Sequence, residues 1–372
     1  MKVLMLNYEF PPIGGGASPV SYDIAKRLAE RGHNIDVVTM GFDKLPFREK
    51  KDGIDIHRVK CIRSKSMVCH PWEQLSYILS AIVYINKNLC VKEYDLCFAH
   101  FIIPTAVISR YLKNKYNLRY IVTAHGSDVI GHNKKRFGLL YSIVKGPWKI
   151  IVKDADCIIA PSNHLMGLIQ KTQPDSNCVC IPNGVDTAIF ENKHIQKKQI
   201  LVLGRLQETK NVETIIRAFS LINDNDWKLM ICGDGPCMDN LKQLAKNTCQ
   251  GKDIEFTGWI ENKSEKHLRI LQESAIYVSA SLVENCPTSV LEAISCGANV
   301  LLSDIPAHRQ LLENMHDSIF FDPLDDVQLS DKINKMMNHI DMTEKRENEY
   351  DAERYDWNNS IDDYEKLINR MV

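Results

Sequence analysis

No apolar run in the chain reaches the ~18 residues that would suggest a membrane span. The opening MKVLMLNYEF is a short strand-like stretch after one Lys, and Pro-Pro follows too soon for a secretory leader. A cytoplasmic protein is therefore expected. The twelve cysteines form no CxxC pair and show no zinc spacing. Cys97, Cys157 and Cys232 sit inside apolar runs, so reduced core cysteines are expected rather than disulfides. There is no low-complexity segment and no short fixed repeat. A GxGxxG fingerprint is also missing after the first strand, which argues against a nicotinamide enzyme. No DxD-like carboxylate pair stands at the carboxyl end of a strand to hold a metal.

What is present is a chain of 372 residues, 44% of them hydrophobic. That is enough for two domains with sizeable cores. The formal net charge of −1 conceals a split. Residues 1–186 hold 25 Lys and Arg against 16 Asp and Glu, a net of +9, and the rest hold 21 against 31, a net of −10. Ordinary drift between domains would explain this. So would an anionic partner for the first half, such as a lipid phosphate or a membrane surface.

The dominant pattern is alternation. Short β-rich runs end in Gly, Asn, His or Ser and lead into amphipathic helix patterns. Lys2–Tyr8 and Asn34–Met40 read as strands, and between them Val20, Ile24, Ala25 and Leu28 share one helix face. Ser18-Pro19 reads as an N-cap and first-turn proline, and Gly32 as the stop. Further strands are expected at Ile54–Val59, Asp95–His100, Arg119–Ala124, Asp156–Ala160 and Cys178–Ile181. A second series begins at Gln199–Gly204 and continues at Lys228–Cys232, Asp253–Phe256, Ala275–Ser279 and Ala298–Leu302. The polar stretch Asp186–Lys198 separates the two series as a linker. The fold expected is α/β, with two Rossmann-like domains whose parallel sheets face across a cleft. Ligands of such sheets bind at the carboxyl ends of the strands.

Five strand-end loops carry chemistry. Pro11–Ser18, PPIGGGAS, brings Gly14, Gly15 and Gly16 where a backbone must approach a ligand closely. In TAHGSD, His125 ends a strand next to Gly126, and Asp128 either holds a partner or caps the turn. GRLQETKN places Arg205 and Lys210 just before a helix start near Asn211, a phosphate site or, alternatively, a loop of solvated charges. GDGP, with Gly233, is a turn that would serve anywhere. In ENCPTSVLEAISCG, Pro287 reads as the first helical residue. Glu284 then falls in the preceding loop and Glu292 in the second helical turn.

In order and rough spacing, PPIGGGAS, AHGSD, PNGVD, GRLQETKN, GDGP and ENCPTSVLEAISCG resemble the GT4 family of retaining glycosyltransferases, which have the GT-B fold. The resemblance covers nearly the whole chain. It implies an acceptor-binding domain over 1–186, a nucleotide-sugar donor domain over 187–355, and a C-terminal helix from 356–372 that crosses back onto the first domain. Arg205 and Lys210 would hold the donor diphosphate, with Gly14–Gly16 closing over it. Glu292 would bind the ribose. Glu284 would face the sugar, with backbone amides around Cys286, Pro287, Thr288 and Ser289 contacting sugar and phosphate. His125 would lie near the anomeric centre. Gly233 would line the donor site, and Trp259 and Ile260 would frame the base. His125, Glu284, Arg205 and Lys210 are the catalytic set so implied. Asn285-Cys286 departs from the Gly-Phe of many members, which leaves the donor sugar open.

The activity implied is transfer of a sugar from a UDP- or GDP-linked donor to a hydroxyl, with retention. No cofactor and no metal are expected. The expected acceptor is a glycan or lipid-linked intermediate of cell-surface polysaccharide or glycolipid synthesis, with peripheral contact at the inner face of the cell membrane and no nucleic acid partner. Residues 132–153 support this contact: Lys134, Lys135, Arg136, Lys145, Lys149 and Lys153 alternate with Phe137, Leu139, Leu140, Ile143, Val144 and Trp148. A surface helix with one core face, interrupted at Gly146-Pro147, is the plain alternative. A small soluble acceptor, an epimerase or hydrolase on the same fold, and a non-catalytic nucleotide-sugar binder are the competing functions.

Overall fold

The structure is a computed structural model. It describes residues 1–313, 319–340 and 352–371, and the side chains of all of these except 134–140. The chain forms two compact units. One is Met1–Pro182 with Ser360–Val372, and the other is Asn183–Asn359.

Among the described residues, the first unit carries an eight-stranded sheet in the order β3-β4-β2-β1-β5-β6-β7-β8. Its strands are β1 (Lys2–Leu6), β2 (Asn34–Met40), β3 (Arg48–Lys51), β4 (Ile54–Val59), β5 (Leu96–His100), β6 (Tyr120–Thr123), β7 (Cys157–Ala160) and β8 (Cys178–Cys180). All neighbours pair in parallel except β3 with β4. Near-continuous apolar runs such as KVLML and LCFAH suit strands buried on both faces.

Helices α1 (Ala17–Glu30), α2 (Pro71–Asn88), α3 (Thr105–Tyr116), α4 (Lys134–Asp154) and α5 (Asn163–Thr172) connect them. The step from β1 to β2 runs one way along the sheet, and the steps from β4 to β5, β5 to β6 and β6 to β7 run the other. Right-handed crossovers therefore put α1 on one face and α2, α3 and α4 together on the opposite face. The strand order reverses between β1 and β5, so the loops after those two strands flank a crevice at the carboxyl end.

The second unit repeats the plan in a six-stranded sheet, β11-β10-β9-β12-β13-β14, among the described residues. Its strands are β9 (Lys197–Leu203), β10 (Lys228–Cys232), β11 (Ile254–Gly258), β12 (Ser274–Ser279), β13 (Asn299–Ser303) and β14 (Phe320–Phe321). Its helices are α6 (Val212–Ser220), α7 (Met238–Thr248), α8 (Glu265–Glu273), α9 (Thr288–Ser295), α10 (Pro306–Leu311) and α11 (Asp326–His339). Here the order reverses between β9 and β12, which sets the loops after those strands side by side.

Helix α12 (Trp357–Asn369) leaves the second unit and packs on the first. Arg31, at the end of α1, meets Asp362 at 2.6 Å and Glu365 at 2.8 Å. The buried Tyr364 ring lies 5.8 Å from Phe98. Gly184, by contrast, presses on Trp357 so closely that a Cβ would sit 2.5 Å from the indole.

Several sequence expectations need correction. Helix α1 starts at Ala17, with Gly16 at the N-cap. Ser18 is not the cap: its Oγ donates to the Ile13 carbonyl at 2.6 Å and holds the glycine loop instead. Pro287 is the N-cap of α9 rather than its first residue. Gly146-Pro147 does not interrupt α4, which runs through both. β9 begins at Lys197, inside the expected linker. Strand β3 was missed because REKK is polar, as an exposed edge strand can be. Its signal was the Asp52-Gly53 pair, both at positive φ, which makes a two-residue hairpin turn into β4. The cysteines Cys97, Cys157 and Cys232 are free and buried, as expected.

Candidate donor and sugar sites

The second unit's site starts with three backbone contacts. Leu206 N–H donates to Asp234 O at 3.0 Å, Cys237 N–H to Leu206 O at 3.0 Å, and Gly204 N–H to Cys232 O at 3.0 Å. The loop after β9 is thereby zipped to the loop after β10. A Cβ on Gly233 would fall 1.9 Å from Gly204 O, and one on Gly235 2.2 Å from Leu206 O. Gly233 also adopts φ +135°. GDGP is thus more than a convenient turn: its glycines let two backbones touch.

The same loop then makes a short 3-10 turn, Glu208–Lys210, and leaves through Asn211 in the left-handed region. Asn211 Nδ2 donates to Pro323 O at 2.6 Å. Leu282 N–H donates to Thr209 O at 2.8 Å, which ties the loop after β12 to this turn. The ammonium of Lys210 therefore meets the carboxylate of Glu284 in an ion pair. Ser281 Oγ donates to the same Glu284 oxygen at 2.7 Å. Behind it, Ser303 Oγ donates to Ser281 O at 2.6 Å, and His308 Nδ1 lies 3.1 Å from Ser303 Oγ. Burial opposes ionisation of Glu284, yet Lys210, His308 and Ser281 together hold its carboxyl below the usual range. Arg205 is half-buried in the same loop. Gly204, Arg205, Lys210, Tyr277, Ser279 and Ser281 line one concave pocket.

Glu292 lies in the second turn of α9, buried. His267, which sequence reasoning missed, stands 3.7 Å away through Nε2. Its Nδ1 accepts the Lys263 N–H at 3.1 Å, so Nε2 carries the proton and faces the carboxylate. Burial lowers His267 to about 4, so this contact is that of a neutral ring. Ser289 Oγ is fixed by Tyr277 OH at 3.0 Å. Trp259 is exposed after Gly258, whereas Ile260 packs against the unit's core. Cys286 is buried in that core and its carbonyl accepts from Asn183 Nδ2 at 2.9 Å. The Cys286 side chain is thus structural, and Asn285 alone of the pair is left half-buried.

In the first unit, the loop after β1 carries Gly14 at φ +102°, where a Cβ would lie 2.5 Å from Glu9 Cβ. Gly14 N–H donates to Ser66 O at 2.9 Å and Gly15 N–H to Glu9 Oε2 at 3.2 Å. A Cβ on Gly15 or Gly16 would meet nothing within 4 Å, so these two leave open space. His125 follows β6, and its Nε2 lies 3.0 Å from Nδ1 of His100, which ends β5. Sequence reasoning missed His100, although it too is a histidine at a strand end. Asp128 accepts from the backbone N–H of His125 at 2.9 Å and of Ile102 at 2.7 Å, pinning the two loops together. Burial pushes Asp128 up to about 6 and His125 down to about 3. His125 is therefore a neutral hydrogen-bonding ring near pH 7. Of the basic stretch after it, the side chains of Lys134, Lys135, Arg136, Phe137, Leu139 and Leu140 lie outside the described residues.

Each unit thus presents, at the point where its strand order reverses, loops able to bind a polar ligand. The sequence family described as Glycosyltransferase Family 4 matches residues 14–189, and that described as Glycosyl transferases group 1 matches residues 186–353. The chain is 26% identical to N-acetyl-alpha-D-glucosaminyl L-malate synthase of Bacillus anthracis, over 77% of this chain and 75% of that one. It is 24% identical to alpha-monoglucosyldiacylglycerol synthase of Streptococcus pneumoniae, over 86% and 74%. Among solved structures, Anabaena HepE in complex with UDP-glucose superposes with a TM-score of 0.76 at 15% identity, covering all of both chains.

The fold is GT-B, and the chain belongs to the family-4 glycosyltransferases. It is a glycosyltransferase.

Proposed function

We propose that the protein transfers a sugar, with retention, from a nucleoside-diphosphate sugar to a hydroxyl of a glycan or lipid-linked acceptor. The observation that carries this reading is the Lys210–Glu284 pair at the reversal point of the second sheet, with Arg205 in the same loop. The leaving diphosphate gains charge as the anomeric bond breaks. Arg205, Lys210 and the backbone amides at the start of α9 supply positive potential there, and each well-placed donor is typically worth ~3–4 kcal/mol. No metal is needed on this reading.

Glu284 has two tasks. It orients Lys210, and it accepts hydrogen bonds from sugar hydroxyls. Glu292, oriented by His267, takes the ribose hydroxyls. Trp259 offers an aromatic face to the base. His125 and the Gly14–Gly16 loop are assigned to the sugar and the diphosphate. Same-face attack, with the departing phosphate accepting the acceptor's proton, is the mechanism proposed; no covalent role is given to Glu284.

The lipid-linked acceptor draws on two supports. The Streptococcus pneumoniae relative is named for a glucosylated diacylglycerol. The first half of the chain carries a net +9. A small soluble acceptor remains the second reading, because the Bacillus anthracis relative is named for a malate product.

Retention and metal independence are tested together. An α-linked donor should give an α-linked product by NMR before any mutarotation, at an unchanged rate in EDTA. A β-linked product would overturn the retaining assignment. Loss of rate in EDTA restored by a divalent cation would overturn metal independence.

A further inference from the structure

Helix α2 has an unusual outer face. Its buried side is the row Glu73, Tyr77, Ala81 and Ile85. At 100° per residue, Leu75, Leu79 and Val83 point about 200° away, toward solvent. An ordinary surface helix would carry charge there. Instead Trp72 is 61% exposed, Leu75 56%, Leu79 61% and Val83 53%. Their spacing of three, four and four keeps them on one stripe. Ile62, also exposed, is laid beside this stripe, because its N–H donates to Ser76 Oγ at 2.9 Å.

The charge around the stripe is mainly positive. From Lys60 to Lys87 the exposed bases are Lys60, Lys65 and Lys87, Arg63 donates to the backbone carbonyls of Tyr8, Lys65 and Ser66, and the one acid is Glu73; further on, the exposed Lys92 and Glu93 offset each other. Glu73 is buried and accepts from the backbone N–H groups of Ser64 and His70, both at 2.7 Å, so it adds nothing to the outer face. The neighbouring helices continue the pattern. In α3, Lys115 reaches Asn86 of α2 at 2.7 Å, which places the two side by side. Helix α4 joins the same layer through Arg110, which meets Asp154 at 2.6 Å. α3 contains no acid at all. α4 presents the exposed residues Ile143, Lys145, Ile150 and Lys153.

We propose that the outer face of the α2–α3–α4 layer docks on an anionic bilayer, with Trp72, Leu75, Leu79 and Val83 entering the headgroup–acyl boundary. A stripe of one Trp and three aliphatic side chains in a basic surround matches an interfacial helix lying in the membrane plane. The lysines and arginines add attraction to anionic lipid headgroups. A second copy that met the stripe with the same face would bring the same positive charge and be repelled. Among the described residues no helix is long and apolar enough to cross a membrane, so docking on one leaflet is the mode that fits. The inference gives the proposed lipid-linked acceptor its surface, yet its evidence is independent of turnover.

The test is vesicle sedimentation of the full chain, with vesicles of zwitterionic lipid alone and with about one third anionic lipid. The wild type should sediment with the anionic vesicles, and binding should fall several-fold as salt rises from about 0.1 to 0.5 M. The exposed double substitution Trp72→Ser with Leu79→Ser should bind at least tenfold more weakly, with an unchanged melting temperature. Equal binding of the two proteins would overturn the proposal, as would no wild-type binding. A wild-type dimer that the double substitution dissociates would assign the stripe to a second copy instead. A thermal shift with nucleotide sugar on the same variant should equal that of the wild type. Loss of that shift in both proteins would strike the donor reading and leave the surface untouched.

Discussion

Replacing Lys210 with alanine is expected to lower kcat by about 10²–10³ and to destabilise the second unit at neutral pH. Two separate causes produce these effects. The ammonium is one of the charges assigned to the departing diphosphate. It is also the cation paired with Glu284, whose carboxylate is largely buried. Removing one member of such a pair strands the other, typically at a cost of about 3–5 kcal/mol unless the carboxyl takes up a proton.

The pH dependence follows from the sign of the shift. In the wild type Glu284 is held below its ordinary value, so its contribution is present above the unfolded carboxyl range near 4.5 and is lost as pH falls below it. In Lys210→Ala burial acts unopposed by Lys210 and raises the carboxyl. The variant's deficit should then shrink as pH falls from 8 toward 5, measured by denaturant melts. Adding Glu284→Gln should recover much of the stability at pH 7 and none of the turnover. A variant with normal turnover would contradict the role given to Lys210. A deficit independent of pH would contradict the buried pair.

The second large effect is expected from Gly233→Ala, a single methyl group. A Cβ there would overlap Gly204 O at 1.9 Å, and the φ of +135° disfavours any side chain. Relief requires the loop after β10 to separate from the loop that carries Arg205. Activity should fall below detection, with several kcal/mol lost from the second unit. Gly15→Ala is the contrasting substitution, because a Cβ there meets nothing within 4 Å. It should leave the melting temperature within about a degree or two. Chemical denaturation of both variants checks the pair. A stable, active Gly233→Ala protein would show that the two loops need not touch.

Much of the fold was legible because parallel strands announce themselves. LVLG before Arg205 and YVS before Ser281 are apolar runs of strand length, closed by turn residues and followed by helical periodicity. Element edges were less legible. Ser18-Pro19 carries every sign of a helix start, yet the helix begins earlier because Ser18 bonds Ile13 within the glycine loop. Pro147 reads as a break, but α4 continues through it and the adjacent Trp148 is anchored by its Nε1–H to Asp128 O at 2.7 Å.

The candidate site was legible as a set of loops and illegible as a network. Sequence spacing placed Lys210 and Glu284 on different loops with no reason to pair them. Only the reversal of strand order between β9 and β12 brings them together. The supporting groups His267 and Ser281 had no signal beyond residue type, because what each does depends on a partner remote in sequence; His100 shared with His125 the signal of a histidine at a strand end. Cys286 was expected to act through its backbone amide, and at the start of α9 its side chain turns into the core.

The central claim is that the loop carrying Arg205 and Lys210 binds the diphosphate of a nucleotide sugar. A thermal-shift panel of UDP- and GDP-linked sugars on the wild type and on Arg205→Ala tests it most directly. At about 100 times the dissociation constant, a ligand stabilises the folded state by about 2.7 kcal/mol, a rise of several degrees. The account predicts that rise for at least one donor with the wild type and its loss with Arg205→Ala, whose ligand-free melting temperature should change little. A wild type that no nucleotide sugar stabilises, or a variant that keeps the full shift, would contradict it.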